Sequence, residues 1–248
     1  MKRGIAAALA TFCVSGVLAE DAKPWDVSAS VGVSMTSGNT DTMSVNPEIR
    51  ASGASGKNEI KLRALYNYGE KDDVISERNA KGTAQYNRLL GERAYAYGNG
   101  EVGFDDPANI NYRAIAGPGA GYYFVKSDRM NLSAEAGASL IAEETETDLA
   151  GGGADTENSE EIALRVAQKF DMKIGAGAKV FESVEYLPQA DDFDIYLLNA
   201  EVGLEAAVNG GLSMRMTLAN AHDSEPAPGK EKDDTTFKAA LVYVFGRK

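Results

Sequence analysis

The only histidine of the chain stands beside a carboxylate and a hydroxyl, in the run His222, Asp223 and Ser224. Hydrolysis by a serine nucleophile needs such groups to converge in space, so that the imidazole can take the proton of the hydroxyl. Residues that follow one another directly in sequence usually cannot adopt that geometry. The favoured interpretation is a solvated loop histidine, so no catalytic residue is predicted. A membrane-embedded hydrolase acting on lipid stays an alternative.

Six residues match the fingerprint of dinucleotide-binding proteins, with glycine at the required positions from Gly98 to Gly103. That site needs a strand, a tight turn and then the N-terminus of a helix, where the phosphates bind. No helical pattern follows Gly103, and the segment lies inside a predicted long strand. We therefore expect no nucleotide and no other cofactor, and we interpret these glycines as points where a strand bends or closely approaches a neighbour.

The connection predicted over residues 143–161 carries eight carboxylates and no lysine or arginine. Hard cations such as calcium prefer oxygen ligands, but the order of these residues does not fit a calcium-binding loop. A run of like charges is usually solvated. No metal site is predicted, and weak binding of divalent cations at the acidic outer loops stays an alternative.

Composition excludes several classes of protein. The formal net charge is −12, and nucleic-acid phosphates demand clustered Lys and Arg, so no nucleic acid is expected as a partner. Lys2 and Arg3, a short apolar stretch and then Ala19 have the pattern of a secretory signal peptide over residues 1–19. Its removal takes away the only cysteine, Cys13, which excludes disulfides. The mean hydropathy is −0.29, too low for a protein of membrane helices.

Apolar residues recur at every second position along the rest of the chain, as in strands with two differently solvated faces. In the last segment Phe237, Leu241 and Phe245 share one face, and Lys238 lies on the other. Twelve such segments are predicted, with centres near residues 31, 47, 64, 82, 99, 118, 137, 164, 181, 201, 217 and 240. An even strand number, with short turns on one side and longer loops on the other, is typical of an outer-membrane barrel.

We therefore predict an all-β protein, in which residues 20–248 form a single antiparallel, up-and-down transmembrane β-barrel of about twelve strands. Aromatic residues near both ends of the segments suit the two membrane interfaces. The alternative is a soluble β-sandwich or lipocalin-like barrel, but small residues on the apolar face would pack its core badly. Only residues 174–188 alternate poorly, and we expect a bulge there.

The face opposite the apolar one carries charges of both signs. Alternation predicts that the following side chains line the lumen: Glu48, Arg50, Lys61, Arg63, Glu77, Lys81, Glu101, Arg113, Glu135, Arg165, Lys169, Glu201, Glu205, Arg215 and Lys238. Opposed charges either line an aqueous path that filters solutes or pair across the interior and close it. Twelve strands are intermediate between packed eight-stranded barrels and open porins, so the strand number leaves both alternatives open.

Two stretches carry a family resemblance. The first consists of Tyr86, Arg88, Leu90, Tyr97, Glu101, Asp105, Asp106, Tyr112, Arg113, Gly117, Gly119, Gly121 and Tyr122, and the second is the Thr-Ser-Gly-Asn-Thr run at 36–40. On these residues the chain resembles the DUF481 family, labelled as salt-induced outer-membrane proteins with a domain of unknown function. The resemblance implies an outer-membrane location and a barrel, and it supplies no chemistry. The chain departs from many such barrels by ending on Lys248 instead of an aromatic residue.

These patterns predict a non-enzymatic barrel of a Gram-negative outer membrane, which serves as a narrow channel or as a structural component of the envelope. Docking of a partner protein on the polar loops is a third alternative. The expected partners are outer-membrane lipid and lipopolysaccharide, with the barrel-assembly machinery during biogenesis, and the barrel is expected to be a monomer. A link to salt or envelope stress comes from the family label alone.

Overall fold

The computed structural model describes residues 25–37, 42–71, 74–148 and 154–245, and the predicted signal peptide lies outside them. The strands are β1 (Asp26–Ser37), β2 (Thr42–Ser55), β3 (Asn58–Lys71), β4 (Val74–Leu89), β5 (Ala94–Asp105), β6 (Ile110–Lys126), β7 (Met130–Asp148), β8 (Ala154–Ile174), β9 (Ala178–Pro188), β10 (Tyr196–Asn209), β11 (Leu212–Asp223) and β12 (Asp233–Val244). No helix in this part of the chain is long and apolar enough to cross a membrane.

The sheet closes on itself. Each strand pairs antiparallel with its neighbours in sequence, and β1 also pairs with β12. Val33 thus lies opposite Ala239 on one side and Val45 on the other. Closure leaves no edge of unpaired N–H and C=O groups, which hydrocarbon cannot satisfy. The predicted all-β, antiparallel barrel of twelve strands is confirmed.

The turns at the end of the barrel where β1 begins are short. Two residues join β2 to β3, and Gly56 has there a φ of +56°, in the left-handed region that glycine reaches without steric cost. Gly210 has a φ of +54° between β10 and β11. The connections 189–195 and 224–232 at the opposite end are longer.

The aliphatic rows of the strands face outward and the polar rows face inward. Val31 is 60% exposed on β1, whereas Ser34 of the same strand is 2% exposed. Exposed aromatic side chains lie toward both ends of the barrel, at Trp25, Tyr86, Tyr122, Phe124, Tyr243, Phe245, Tyr66 and Tyr112. An aliphatic band with aromatic borders suits hydrocarbon between two interfaces. It is the reverse of a soluble barrel, whose apolar side chains fill the core.

The predicted acidic loop is largely strand. β7 continues to Asp148 and β8 begins at Ala154, and they remain paired along this length, as between Thr145 and Glu157. Main-chain hydrogen bonds hold such a ladder whatever the side chains, and β-branched threonine favours it. The loop predicted over 143–161 was therefore wrong, and its carboxylates lie mostly on an extended hairpin.

Strand β9 also differs from expectation. Its register with both neighbours is continuous, so the bulge expected in residues 174–188 was wrong. The alternation is weak because β9 places the apolar side chains of Phe181 and Leu187 inside the barrel, where Leu187 is fully buried. The turn between β8 and β9 lies at 175–177, since β8 continues to Ile174.

Candidate functional site in the barrel interior

Two networks of different character occupy the interior. We call the first the arginine cluster, formed by Arg50, Arg63, Arg215, Glu48, Glu201 and Glu205. We call the second the tyrosine wall, formed by Tyr95, Tyr97, Tyr123, Gln85, Glu135, Arg165 and Lys169. All fifteen charged side chains predicted to line the lumen occupy inward-facing positions of their strands, because alternation along each strand separates the two faces.

Glu48 is the centre of the arginine cluster. Its Oε1 accepts hydrogen bonds from Nε of Arg50 at 2.5 Å and Nη1 of Arg215 at 2.9 Å, and its Oε2 accepts one from Nε of Arg63 at 2.8 Å. Arg50 and Arg63 lie directly opposite each other in the register of β2 and β3, where like charges repel. The buried carboxylate of Glu48 offsets that repulsion.

Glu201, on the opposite side of the barrel, forms ion pairs with Arg63 and Arg50 of the cluster. Nη2 of Arg63 lies 3.3 Å from Oε2 of Glu201, and Nη2 of Arg50 lies 3.8 Å from its Oε1. Strands β3 and β10 are five positions apart around the ring of twelve, so this ion pair spans most of the lumen. The side chains of Arg50 and Arg63 are each 30% exposed. Water therefore reaches both guanidinium-bearing side chains near the middle of the barrel.

The tyrosine wall is built around a second glutamate, Glu135, and the ion pair of Glu135 with Arg165 at its centre is far less accessible, although Lys169 at its margin is 34% exposed. Glu135 accepts hydrogen bonds from the Tyr95 hydroxyl at 2.8 Å, from Nε2 of Gln85 at 2.7 Å and from Nη1 of Arg165 at 2.8 Å. The same Arg165 nitrogen donates to the Tyr97 hydroxyl at 2.9 Å, and the Arg165 side chain is 4% exposed. Buried charges must be fully hydrogen-bonded to be tolerated, and this network meets that requirement.

Glycines on β6 make room for the tyrosine rings. A Cβ atom added at Gly119 would collide with the ring of Tyr97, and one added at Gly121 would collide with the ring of Tyr95. Only glycine lets the rings lie this close to the inner surface of the sheet. The glycines that carry the family resemblance therefore shape the interior.

Further ion pairs brace the interior outside these two networks. Arg113 pairs with Glu143 and, at 2.9 Å, with Asp223 on β11, five strands away. Lys81 pairs with Glu101 at 2.8 Å on the neighbouring strand. The interior charges thus pair across the lumen as well as along the wall.

The structure does not bring together a hydrolase triad at His222. Its Nδ1 lies 2.9 Å from Oδ1 of Asp233, and its ring stacks on Tyr196. The hydroxyl of Ser224 accepts a hydrogen bond from the backbone N–H of Tyr196 at 2.7 Å, while Asp223 pairs with Arg113. The three neighbours in sequence therefore serve three separate contacts.

The other sequence motifs form no site either. The fingerprint from Gly98 to Gly103 lies within β5, which pairs with β4 and β6 and is followed by a turn, not by a helix. Within the described ranges there is no group of three or more His, Cys, Asp or Glu residues that could hold a metal ion.

Four aromatic residues of the interior were not predicted as site residues. Tyr95, Tyr97, Tyr123 and Phe181 face inward, and the rings of Tyr95 and Tyr123 lie 4.9 Å apart. Alternation relative to Glu101 on β5 was a signal that could have placed Tyr95 inside.

Comparison with known families gives one match over most of the chain. Residues 29–245 match the family described as "Protein of unknown function, DUF481". No curated protein matches the chain.

Solved structures share the fold at low sequence identity. The NanC porin superposes with a TM-score of 0.58 at 8% identity, covering 87% of this chain and 98% of that one. The translocator domain of the autotransporter NalP from Neisseria meningitidis gives 0.53 at 11% identity, covering 88% of each chain. An outer membrane channel from Pseudomonas putida F1 gives 0.52 at 11% identity, covering 90% of this chain and 96% of that one. Identities this low show a common fold and no more.

Proposed function

Because the chain belongs to the DUF481 family of proteins of unknown function and forms a closed barrel with an apolar outside, we propose that it spans the Gram-negative outer membrane as a narrow, non-enzymatic channel. The aliphatic band faces lipid in this proposal, and the short turns face the periplasm. The first partner of the barrel is then membrane lipid. One chain closes the sheet without help, which favours a monomer.

The ion pair between Arg63 and Glu201 carries the proposal. It crosses most of the lumen, so it narrows any path through the barrel, yet Arg50 and Arg63 remain in contact with space large enough for water. A structural barrel with a filled interior would bury both arginines, as Arg165 is buried in the tyrosine wall. A constriction lined by partly exposed charges is how narrow channels select solutes.

The names of two similar structures agree with a channel. One is a porin, and another is an outer membrane channel from Pseudomonas putida F1. The side chains of His222 and Ser224 make separate contacts, so this run does not favour the alternative of a hydrolase. The test described next distinguishes this channel from a structural role in the envelope.

Single-channel recording in planar bilayers tests the proposal. The natural chain is expected to give steady unitary currents. Arg63→Ala is expected to enlarge them, because the substitution removes the ion pair with Glu201 that crosses the lumen. Arg78→Ala is the matched control, since Arg78 is also paired with a carboxylate, Asp106 at 2.5 Å, but lies at an outward-facing position. It should leave the current unchanged. Silent bilayers that contain folded, inserted barrel would contradict the channel and support a structural role.

A further inference from the structure

We propose that the arginine cluster is a binding subsite for solutes that carry a carboxylate group, so that the channel prefers small organic anions. This inference rests on the proposed channel function and names its substrate class. It is carried by the charge balance of the cluster, by the accessible surface of two arginines and by an aromatic ring beside them.

The charge balance of the cluster is positive. Arg50, Arg63 and Arg215 face Glu48, Glu201 and Glu205. Lys238 also points into the lumen, where its Nζ lies 3.5 Å from Oδ1 of Asn67 and its charge interacts with Glu48 and Glu201. Four cations therefore share three carboxylates. The surplus positive charge lies on the inner wall, where an anion in the lumen can meet it.

Arg50 has hydrogen-bonding capacity that the cluster leaves unused. Its Nε and Nη2 donate to Glu48, while its approach to Glu201 is 3.8 Å, too long for a hydrogen bond. No hydrogen bond among the described residues uses its Nη1 atom. Guanidinium groups bind carboxylates through parallel N–H bonds, and Arg50 is exposed to the lumen. A solute carboxylate can accept from this side of Arg50 without displacing Glu48.

Phe181 adds apolar surface next to the guanidinium. The guanidinium carbon of Arg50 lies 6.0 Å from the centre of the Phe181 ring. The ring lies against Gly203 on β10, where a Cβ atom would collide with it. An anion whose carboxylate meets Arg50 therefore finds a flat apolar surface for its ring or carbon skeleton. This favours organic carboxylates over inorganic anions.

Carboxylates closer to the outer end are separate from the cluster. Glu143 and Asp223 share one cation, Arg113, whereas Glu101 has Lys81 as its own partner. Exposed charges are screened over about 8 Å at physiological ionic strength, so the cluster acts on solutes that are already inside the lumen.

Two electrical measurements in planar bilayers test the subsite. In a gradient of KCl the reversal potential of the natural channel should show preference for chloride over potassium. D-glucuronate should then block the chloride current at concentrations at which D-glucose, its uncharged analogue, has no effect. Arg50→Gln is expected to raise the half-blocking concentration of glucuronate about tenfold, which corresponds to about 1.4 kcal/mol.

Control variants separate the subsite from net charge and from folding. Arg50→Lys keeps the charge and should keep the chloride preference. Arg78→Gln removes one positive charge from the outside and should leave the block unchanged. Circular dichroism shows whether each variant keeps its sheet. Block by glucose as strong as by glucuronate, or an Arg78→Gln effect equal to that of Arg50→Gln, would overturn the inference.

The failure of the subsite and the failure of the channel give different results. If the natural chain conducts without preferring chloride or binding glucuronate, the channel function is supported and the subsite is contradicted. If the natural chain does not conduct, calorimetric titration of the folded barrel in detergent with glucuronate tests the subsite separately. Heat of binding that Arg50→Gln removes would support the subsite, and no heat would overturn it.

Discussion

The arginine cluster and the tyrosine wall use the same ion-pair chemistry in different surroundings. Each is built around a buried glutamate, Glu48 in one and Glu135 in the other. The arginine of the tyrosine wall, Arg165, is 4% exposed, whereas Arg50 and Arg63 are 30% exposed. A fully desolvated charge is held by its partners, while a charge in contact with water can change partners. The comparison indicates that Arg165 is fixed inside the wall of the barrel, whereas Arg50 and Arg63 are available to a solute.

The difference begins with small residues on the wall. Gly119 and Gly121 let Tyr95 and Tyr97 lie close to the sheet, and the rings cover Glu135 and Arg165. No comparable set of rings covers the arginine cluster among the described residues, where Phe181 is the neighbouring aromatic ring. Long, flexible arginine side chains reach into the space instead.

The largest expected effect on stability is that of Glu135→Ala. It leaves Arg165 buried beside a single remaining carboxylate, Glu185 at 2.6 Å, and such losses cost about 3–5 kcal/mol. The counterpart in the arginine cluster, Glu201→Ala, should cost about 1 kcal/mol or less, because Arg50 and Arg63 keep Glu48 and are solvated. Urea unfolding of both variants in lipid vesicles measures the free energies. Equal losses of unfolding free energy in Glu135→Ala and Glu201→Ala would contradict the proposed difference between the tyrosine wall and the arginine cluster.

A smaller effect is expected from Gly119→Ala. The new methyl group collides with the Tyr97 ring and with the backbone carbonyl oxygen of Ala136, and it should destabilise the barrel by about 1–3 kcal/mol, as overpacking does. Gly98→Ala is the matched control, because nothing lies within 4 Å of a Cβ atom at that position. It should leave the urea midpoint unchanged or raise it slightly. If Gly119→Ala and Gly98→Ala change the urea midpoint by the same amount, the packing of the tyrosine rings does not depend on the absence of a side chain at residue 119.

The smallest effect is expected at the exposed pair of His222 and Asp233, at the ends of β11 and β12 beyond the apolar band. The hydrogen bond from His222 holds the pKa of the Asp233 carboxyl below its usual value. Since the folded pKa is lowered, the pair adds stability above the usual pKa of an aspartate, and this is lost as pH falls through the lowered value. His222→Ala should return the pKa of Asp233 toward normal in an NMR titration. It should lower stability at neutral pH only slightly, because exposed pairs contribute little.

The alternation of residue types was sufficient to predict the barrel itself. Val31 against Ser34, and Leu241 against Lys238, already show which face points outward, since successive side chains of a strand point to opposite sides. Alternation also predicted that Glu48, Arg63 and Glu201 lie on the inward face of their strands. The error at 143–161 arose because a run of carboxylates was interpreted as a loop, and the error at 174–188 because poor alternation was interpreted as a bulge, although main-chain pairing continued in both segments.

Which charges meet inside was decided only by the tertiary structure. Arg63 and Glu201 are far apart in sequence, and their 3.3 Å contact exists because the ring closes and brings β3 opposite β10. Alternation is a local property of each strand, and it carries no information about distances across a closed ring. The exposure that separates Arg50 from Arg165 likewise depends on which rings and glycines closure places beside them.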